Sequence, residues 1–264
     1  MTISIIKVGG QVLENQADRL SFLTQFAIIP GPKILVHGGG KIATQVAQQL
    51  QIPTTMIEGR RVTDEKMLDI VTMVYGGLVN KQVVAMLQSL GCSAMGMTGA
   101  DGACIEAQKR SPQPIDFGYV GDVIRVNSEL FISLLNQSIT PVVAPLSWES
   151  SGTLLNTNAD TMASKVAVAL SQQGFNTRLF YCFEKPGVLL DSEDNSTVIP
   201  LITRESYQTL KAEKIIFAGM IPKLDNAFAA IQAGVSSVWI GSSNEIKDFF
   251  GGEKPTGTLI QEKA

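Results

Sequence analysis

The stretch that decides the fold is ILVHGGGK, from Ile34 to Lys41. Its first four residues form a short apolar run typical of a buried strand, three glycines follow, and a helical pattern begins at Lys41. Backbone N–H groups in such a strand–glycine–helix junction can face a bound anion. A shorter version lies near the N-terminus, where a predicted strand at 3–8 ends in Gly9-Gly10. Two such turns on neighbouring strands predict a crevice for an anionic ligand.

Strand and helix patterns alternate from one end of the chain to the other. This alternation predicts an α/β fold, a three-layer α/β/α sandwich around a mainly parallel sheet. Residues 98–125 are rich in glycine and proline, and we expect hairpins or a flap there. A weak boundary near Gly174 separates 1–174 from 175–264 within a single domain. The predicted strands are 3–8, 34–37, 92–97, 141–144, 178–183, 237–240 and 258–260; the predicted helices are 18–28, 42–50, 65–90 with a break near Gly76-Gly77, 130–135, 161–170, 204–212 and 222–233.

Composition narrows the class of protein. Of the 264 residues 45% are hydrophobic and 17% charged, which suits a buried parallel sheet. A net charge of −3 gives no electrostatic footprint for nucleic acid or a membrane surface. The three cysteines lack CxxC spacing, which favours a reducing compartment and argues against zinc. With no signal-peptide pattern and no uninterrupted apolar span, we expect a cytoplasmic protein.

Several charged or polar residues stand out from the pattern. Lys7 lies inside an apolar strand beside glycines, which favours a functional cation over an ammonium that reaches solvent. Residues 156–160 supply two amides and a carboxylate, although such a loop can also be a helix cap. Lys223 is predicted in a first helical turn, where a cation is unfavourable unless an anion is near. His37, the only histidine, is interpreted as a satisfied imidazole that orients the glycine turn.

Known nucleotide and hydrolase motifs are missing. Gly40-Lys41 is followed by Ile42, so the Ser/Thr of a phosphate-binding P-loop is absent. The chain also has no GxGxxG and no GxSxG. Two lysines, two glycine turns, a carboxylate and one or two arginines form a set suited to phosphoryl transfer by positioning and electrostatics.

The order of the motifs resembles that of the amino acid kinase family, over almost the whole chain. Within it, the chain is most similar to the members that phosphorylate N-acetyl-L-glutamate. The motifs are Lys7-x-Gly9-Gly10, His37-Gly38-Gly39-Gly40, Arg61-Val62-Thr63, Asn156-x-Asn158-Ala159-Asp160 and Gly219-Met220-Ile221-x-Lys223.

The resemblance implies a role for each motif. Lys7 and Lys223 would stabilise charge on the transferring phosphoryl group, and Asp160 would hold both lysines. The residues implied in binding the acyl-glutamate are Gly39, Gly40, Arg61 and Asn156, and those implied near the phosphates and the nucleotide are Gly9, Gly10, Gly187 and Gly219.

The resemblance also implies an architecture and partners. The family sheet has about eight strands; residues 1–174 would bind the N-acyl-L-glutamate and 175–264 would bind ATP. Magnesium would enter on the nucleotide rather than in a metal site of the protein. Such enzymes act in arginine biosynthesis and are at least dimeric. Because Lys7 lies so near the N-terminus, without room for the helix that builds hexamers, we expect a homodimer.

Two departures from the family pattern leave alternatives open. The nucleotide loop, 182–187, reads CFEKPG and is one residue longer than is usual in the family. Because this departure concerns the nucleotide contacts, a non-enzymatic nucleotide-binding regulator is an alternative function. Arg60 stands where the family has an apolar residue, and a second cation beside Arg61 could bind the extra carboxylate of N-succinyl-L-glutamate. A solvent-exposed Arg60 is the competing interpretation. Other acceptors of the family, among them aspartate and carbamate, are further alternatives.

Overall fold

The computed structural model describes residues 1–57, 59–191, 193–213, 215–216, 220–251 and 257–263. The strands are β1 (Thr2–Val8), β2 (Lys33–His37), β3 (Met56–Ile57), β4 (Arg60–Arg61), β5 (Ala94–Met97), β6 (Ile105–Lys109), β7 (Gly121–Val126), β8 (Thr140–Val143), β9 (Leu146–Trp148), β10 (Leu154–Asn156), β11 (Asn176–Phe183), β12 (Leu201–Thr203), β13 (Ser237–Ser242) and β14 (Thr258–Gln261). The α-helices are α1 (Gly10–Glu14), α2 (Gln16–Ala27), α3 (Gly40–Gln49), α4 (Glu65–Val71), α5 (Asn80–Ser89), α6 (Ser128–Asn136), α7 (Ala159–Gln172), α8 (Arg204–Ala212), α9 (Ile221–Gln232) and α10 (Ile246–Gly251).

Eight strands form the central sheet, in the order β12-β14-β13-β11-β1-β2-β8-β5. The β13–β14 pair is antiparallel, and the other neighbouring pairs are parallel. The predicted α/β sandwich around a mainly parallel sheet is therefore confirmed. The turn at Gly174 joins α7 to β11, and β11 pairs with β1, so the sheet continues across the predicted boundary.

The register of the central strands places the glycine turns side by side. Val8 pairs with His37 on β2 and with Cys182 on β11. Parallel strands in register end at the same edge of the sheet, so Gly9 and Gly38 follow at equal height. Ligands of open parallel sheets bind outside this edge.

Side-chain alternation along β1 divides the core between the two faces of the sheet. Ile3 and Ile5 belong to a cluster that includes α7, whereas Ile6 and Val8 belong to a second cluster that includes α5. Because successive side chains of a strand point to opposite faces, Lys7 lies on the α7 face. The site is thus fixed by the same alternation that builds the core.

The turn-rich region 98–125 contains more regular structure than its composition predicted. Strands β6 and β7 pair antiparallel within it and join β9 and β10 in a four-stranded sheet of order β10-β9-β6-β7. These strands escaped prediction because they are short, and glycine and proline dominate the sequence around them. Of the two alternatives expected for 98–125, hairpins or a flap, the antiparallel β6–β7 pair agrees with the hairpin, although its strands were not predicted individually.

Where a break was predicted near Gly76-Gly77, the helix continues as a π-helical segment, Thr72–Val79, between α4 and α5. By length and composition, this continuous helix, Glu65–Ser89, would also suit a membrane span, as core helices of soluble proteins often do. Val74 and Val83 on it are buried in the core. Asp64 caps the start of α4 by accepting a hydrogen bond from the Met67 amide at 2.8 Å.

Candidate active site

Three charged side chains meet at the carboxyl edge of the sheet. Lys7 lies near the end of β1, Asp160 in the first turn of α7 and Lys223 in the first turn of α9. Asp160 Oδ1 lies 2.8 Å from Lys7 Nζ, and Oδ2 lies 3.0 Å from Lys223 Nζ. The side chain of Lys7 is 13% exposed, that of Asp160 20% and that of Lys223 32%. The three groups are therefore half-buried but open to a ligand.

Electrostatics keep this carboxylate charged. Burial by itself raises the pKa of Asp160, but the ammonium groups of Lys7 and Lys223 outweigh burial and lower the pKa to about 2. The trio therefore carries two positive charges and one negative charge at neutral pH. The surplus positive charge is available to a phosphoryl group.

Three side chains of the polar loop 156–160 make different contacts. Asn158 is the N-cap of α7, where its side chain accepts a hydrogen bond from the Thr161 amide at 3.0 Å. The cap interpretation is therefore right for Asn158 and insufficient for the loop, because the side chains of Asn156 and Asp160 bind elsewhere. Asp160 also supplies the negative charge that compensates Lys223 in the first turn of α9.

The two glycine turns pack backbone against backbone. A methyl group on Gly10 would lie 2.9 Å from the amide nitrogen of Gly39, and one on Gly38 would lie 2.8 Å from that of Gly10. Both distances are shorter than a carbon–nitrogen contact allows, so side chains at these positions would force the turns apart. The two turns are therefore in direct contact, which brings their glycine backbones together at this edge of the sheet.

Arg61 lies next to the second glycine turn. Its Nη2 donates to the Gly40 carbonyl at 2.7 Å and to the Thr44 hydroxyl at 2.8 Å, and the residue is buried. Two hydrogen bonds link Asn156 to Arg61 through Thr63. The Asn156 amide donates to Thr63 Oγ1 at 2.9 Å, and that hydroxyl donates to the Arg61 carbonyl at 3.2 Å. The structure therefore links Gly40, Arg61 and Asn156 through one set of hydrogen bonds, and their role in binding the acyl-glutamate, with that of Gly39, stays a prediction.

His37 contacts the second glycine turn through the carbonyl of Gly38. Its Nδ1 lies 2.9 Å from the Gly38 carbonyl, and its Nε2 accepts from the Asn80 amide at 3.1 Å, which leaves the proton on Nδ1. Burial lowers the pKa of His37 to about 4, so the ring is neutral at pH 7. The interpretation of His37 as a satisfied, orienting imidazole agrees with these contacts.

The remaining predicted residues have different surroundings. Gly9 donates its N–H to the Cys182 carbonyl at 3.2 Å, beside Lys7. A methyl group on Gly187 would meet Thr258 Oγ1 and Val198 Cγ1, both at 2.8 Å, so packing against β14 is a sufficient reason for this glycine. Gly219 lies outside the described residues. The structure thus places Gly9 and Gly10 with the charged trio and gives Gly187 a packing role.

Two tyrosines near the site escaped the sequence analysis. The Tyr181 hydroxyl donates to the main-chain oxygen of Asp160 at 3.3 Å. Tyr75 is buried with its ring against Gly39. The signal for Tyr75 was its position just before Gly76-Gly77, where the helix was predicted to break; Tyr181 gave none, because it reads as an ordinary strand residue.

A sequence model described as the amino acid kinase family matches residues 2–242. The chain belongs to the amino acid kinase family. The family resemblance of the five motifs is thereby confirmed.

Individual members of the amino acid kinase family cover nearly the whole chain. An acetylglutamate kinase from Cytophaga hutchinsonii is 52% identical, over 97% of each chain. One from Bacteroides thetaiotaomicron is 50% identical, over 93% of this chain and 95% of its own. Carbamate kinase from Giardia lamblia, solved with AMP-PNP, has 14% identity and a TM-score of 0.72 over 99% of this chain and 98% of its own, and supports the fold alone.

Proposed function

We propose that this chain transfers the γ-phosphoryl group of ATP to the γ-carboxylate of N-acetyl-L-glutamate, giving N-acetylglutamyl phosphate and ADP, in arginine biosynthesis. The structural observation that carries the proposal is the Lys7–Asp160–Lys223 trio beside the paired glycine turns. The acetylglutamate kinases at about 50% identity support the acceptor. An acceptor that is already a carboxylate needs no general base, which fits a site whose only histidine is buried and neutral.

The trio supplies the electrostatic part of the reaction. Lys7 and Lys223 approach from two secondary-structure elements, and their ammonium groups offset the charge on the phosphoryl oxygens as it passes between donor and acceptor. Asp160 fixes the separation of the two cations without cancelling their combined charge. We assign the N–H of Gly10 to the transferred phosphate. The Gly9 N–H already donates to the Cys182 carbonyl, so we assign Gly9 to the turn beside Lys7 that brings Gly10 close to the phosphate.

Each half of the chain holds one substrate. Residues 1–174 carry Gly39, Gly40, Arg61 and Asn156, which we assign to the N-acetyl-L-glutamate. Residues 175–264 carry Lys223 and, in this proposal, the ATP contacts, including those predicted for Gly187 and Gly219. Magnesium enters on the ATP; among the described residues, no three His, Cys, Asp or Glu side chains cluster to form a metal site of the protein.

The position of Arg60 bears on the acyl group. Arg60 is exposed and Arg61 is buried, and successive residues of β4 point to opposite sides. Arg60 therefore does not share the surroundings that Arg61 offers a carboxylate, and the acetyl compound is the proposed acceptor. N-succinyl-L-glutamate remains the alternative prediction.

The deciding experiment measures ADP release with ATP and magnesium, offering N-acetyl-L-glutamate and N-succinyl-L-glutamate in parallel. We expect the higher kcat/KM for the acetyl compound. A higher value for the succinyl compound would make that the natural acceptor and direct mutagenesis to Arg60. ATP binding without turnover of these or any other family acceptor would instead support a nucleotide-binding regulator.

We also propose a cytoplasmic homodimer. Met73 and Leu78 are exposed on the long helix, and Met95 is exposed on β5, the last strand of the sheet. The two elements are adjacent, since Lys81 Nζ on α5 donates to the Gly96 carbonyl at 3.2 Å. An unpaired strand edge beside exposed apolar side chains suits a second copy of the chain.

Sedimentation equilibrium tests this surface. The wild type should have twice the monomer mass of 28.3 kDa, and Met73→Glu/Leu78→Glu should sediment as a monomer. The control is Leu20→Glu, which places the same charge at an exposed apolar position on α2. A monomeric wild type, or a double variant that remains dimeric, would refute the proposed surface.

A further inference from the structure

Thr63 lies between two of the residues assigned to the acyl-glutamate and has no assigned role of its own. It is fully buried, and its hydroxyl oxygen is 2.9 Å from Asn156 Nδ2 and 3.2 Å from the Arg61 carbonyl oxygen. A threonine just before a helix is commonly its cap, but Asp64 is the N-cap of α4. Capping therefore does not account for the Thr63 hydroxyl.

The chemistry of these groups fixes the direction of both hydrogen bonds. A carbonyl oxygen can only accept, so the single proton of the Thr63 hydroxyl goes to the Arg61 carbonyl. The Thr63 oxygen then accepts from Asn156, whose only side-chain donor is its amide nitrogen. The carboxamide of Asn156 therefore has one orientation, with Nδ2 toward Thr63 and Oδ1 directed away from it.

The orientation of a carboxamide matters for recognition, because its two ends have opposite hydrogen-bonding character. Oδ1 accepts and Nδ2 donates, so a flip of the side chain would exchange a donor for an acceptor at the same place. Within the described ranges of the chain, the side chain of Asn156 makes no other hydrogen bond. Its Oδ1 and the second N–H of Nδ2 are what Asn156 offers an acyl-glutamate, which carries both an N–H donor and carboxylate acceptors.

The main chain holds Thr63 and Asn156 together, although 93 positions separate them in sequence. The segment 117–119 runs between the two residues. The Thr63 N–H donates to the Phe117 carbonyl at 2.9 Å, and the Tyr119 N–H donates to the Thr63 carbonyl at 2.7 Å. The Asn156 N–H donates to the Tyr119 carbonyl at 2.9 Å. Because these bonds use only backbone atoms, a change of the Thr63 side chain removes none of their donors or acceptors.

We propose that Thr63 is a positioning residue for acyl-glutamate binding: its hydroxyl, held by the Arg61 carbonyl, fixes the orientation of the Asn156 carboxamide toward the substrate. The inference rests on the proposed function, in which Asn156 binds N-acetyl-L-glutamate. A hydroxyl that only satisfies buried polar groups is the competing interpretation. The two differ in KM, because a purely structural hydroxyl contributes to folding stability without changing the affinity for one substrate.

The test is Thr63→Val, which keeps the branched shape of the side chain and removes the hydroxyl. We expect KM for N-acetyl-L-glutamate to rise about 3- to 10-fold, the effect of one hydrogen bond, with kcat and KM for ATP unchanged. Thr63→Ser retains the hydroxyl and should stay within about 2-fold of the wild-type KM. A serine variant as impaired as the valine variant would show that the shape of the side chain is what matters, and would overturn the proposal.

The matched control is Thr177→Val. Thr177 is also fully buried, on β11, and its hydroxyl has no hydrogen-bond partner in the part of the chain that the structure describes. Valine at this position should leave KM for N-acetyl-L-glutamate unchanged. Should Thr63→Val not fold, Thr63→Ala replaces it with the same expected rise in KM, because alanine also lacks the hydroxyl and places no methyl group against the Asn156 amide.

A double-mutant cycle with Asn156→Ala identifies the route of the effect. If Thr63 acts through Asn156, adding Thr63→Val to Asn156→Ala should change KM by less than about 2-fold. An unchanged KM in the single variant, or an equal rise in both backgrounds, would overturn the proposal.

Calorimetric titration of N-acetyl-L-glutamate gives a second readout that needs no turnover. The dissociation constant should rise in Thr63→Val by the same factor as KM. Equal affinities of the wild type and Thr63→Val would refute only the role of Thr63. A wild type that neither binds nor turns over an acyl-glutamate would refute the proposed function instead.

Discussion

Lys7 and Asp160 form an ion pair of 2.8 Å between the end of β1 and the first turn of α7. The pair exists because alternation along β1 turns Lys7 to the face that α7 covers, and because Asn158 starts that helix at the edge of the sheet. Lys223 completes the arrangement from α9. One carboxylate therefore sets the distance between two cations at the carboxyl edge of the sheet.

Removal of either lysine should impair the chemical step. We expect Lys7→Ala and Lys223→Ala each to lower kcat at least about 10²-fold, because a cation on the transferring group acts mainly in the transition state. Steady-state assays with saturating ATP and N-acetyl-L-glutamate measure this effect. Lys165→Ala, which removes an exposed lysine from α7, is the control and should retain wild-type kcat. Full activity in either site variant would refute its assigned role.

Asp160 should contribute stability that depends on pH. Its pKa in the folded protein is about 2, below the ordinary 3.8, so the contribution is present above about pH 4 and is lost as pH falls through 2. We expect the advantage of the wild type over Asp160→Asn in free energy of unfolding to shrink by about 1–2 kcal/mol between pH 6 and pH 2.5. Urea denaturation at the two pH values measures it. An advantage that stays constant would mean that the carboxylate is not held by the lysines.

His37 should make the free energy of unfolding depend on pH in a higher range than Asp160 does. Burial lowers its folded pKa to about 4 from 6.5, so the unfolded chain binds the extra proton first and stability falls as pH drops from 6.5 to 4. We expect the wild type to lose about 2 kcal/mol relative to His37→Gln between pH 7 and pH 5. Denaturation curves of both proteins at those pH values provide the comparison. Parallel pH dependences would show that the imidazole titrates normally in the folded state.

Because the two glycine turns are in contact, alanine substitutions at the neighbouring residues Gly9 and Gly10 should lower the free energy of unfolding by different amounts. Gly10→Ala should lower the free energy of unfolding by about 1–3 kcal/mol, because its methyl group would meet the Gly39 amide at 2.9 Å. Gly9→Ala should cost less, since its methyl group would have ordinary contact, 3.8 Å, with the Cys182 carbonyl. Chemical denaturation of both variants decides the matter. Equal losses would mean that backbone freedom, rather than the close approach of the turns, is the reason for Gly10.

Much of the fold followed from local patterns, and the three residues of the trio followed from the order of the motifs. Apolar runs and their spacing predicted the central strands, and the motif order led to Lys7, Asp160 and Lys223. The short strands β6, β7, β9 and β10 did not follow, because strands of three to six residues among glycines and prolines carry too little periodic signal. Gly187 was selected by its motif, and the structure adds a packing neighbour at 2.8 Å that the sequence does not reveal; its ATP contact stays a prediction.

By itself, the sequence determined the α/β architecture and the family, because hydrophobic periodicity and motif order are properties of consecutive residues. Only the tertiary structure decided which distant groups touch: that Asp160 divides its two oxygens between Lys7 and Lys223, that Gly10 packs on Gly39, and that the ring of Tyr75 lies against Gly39. The physical reason is that strand register and helix packing set these distances, and both depend on how the whole core closes.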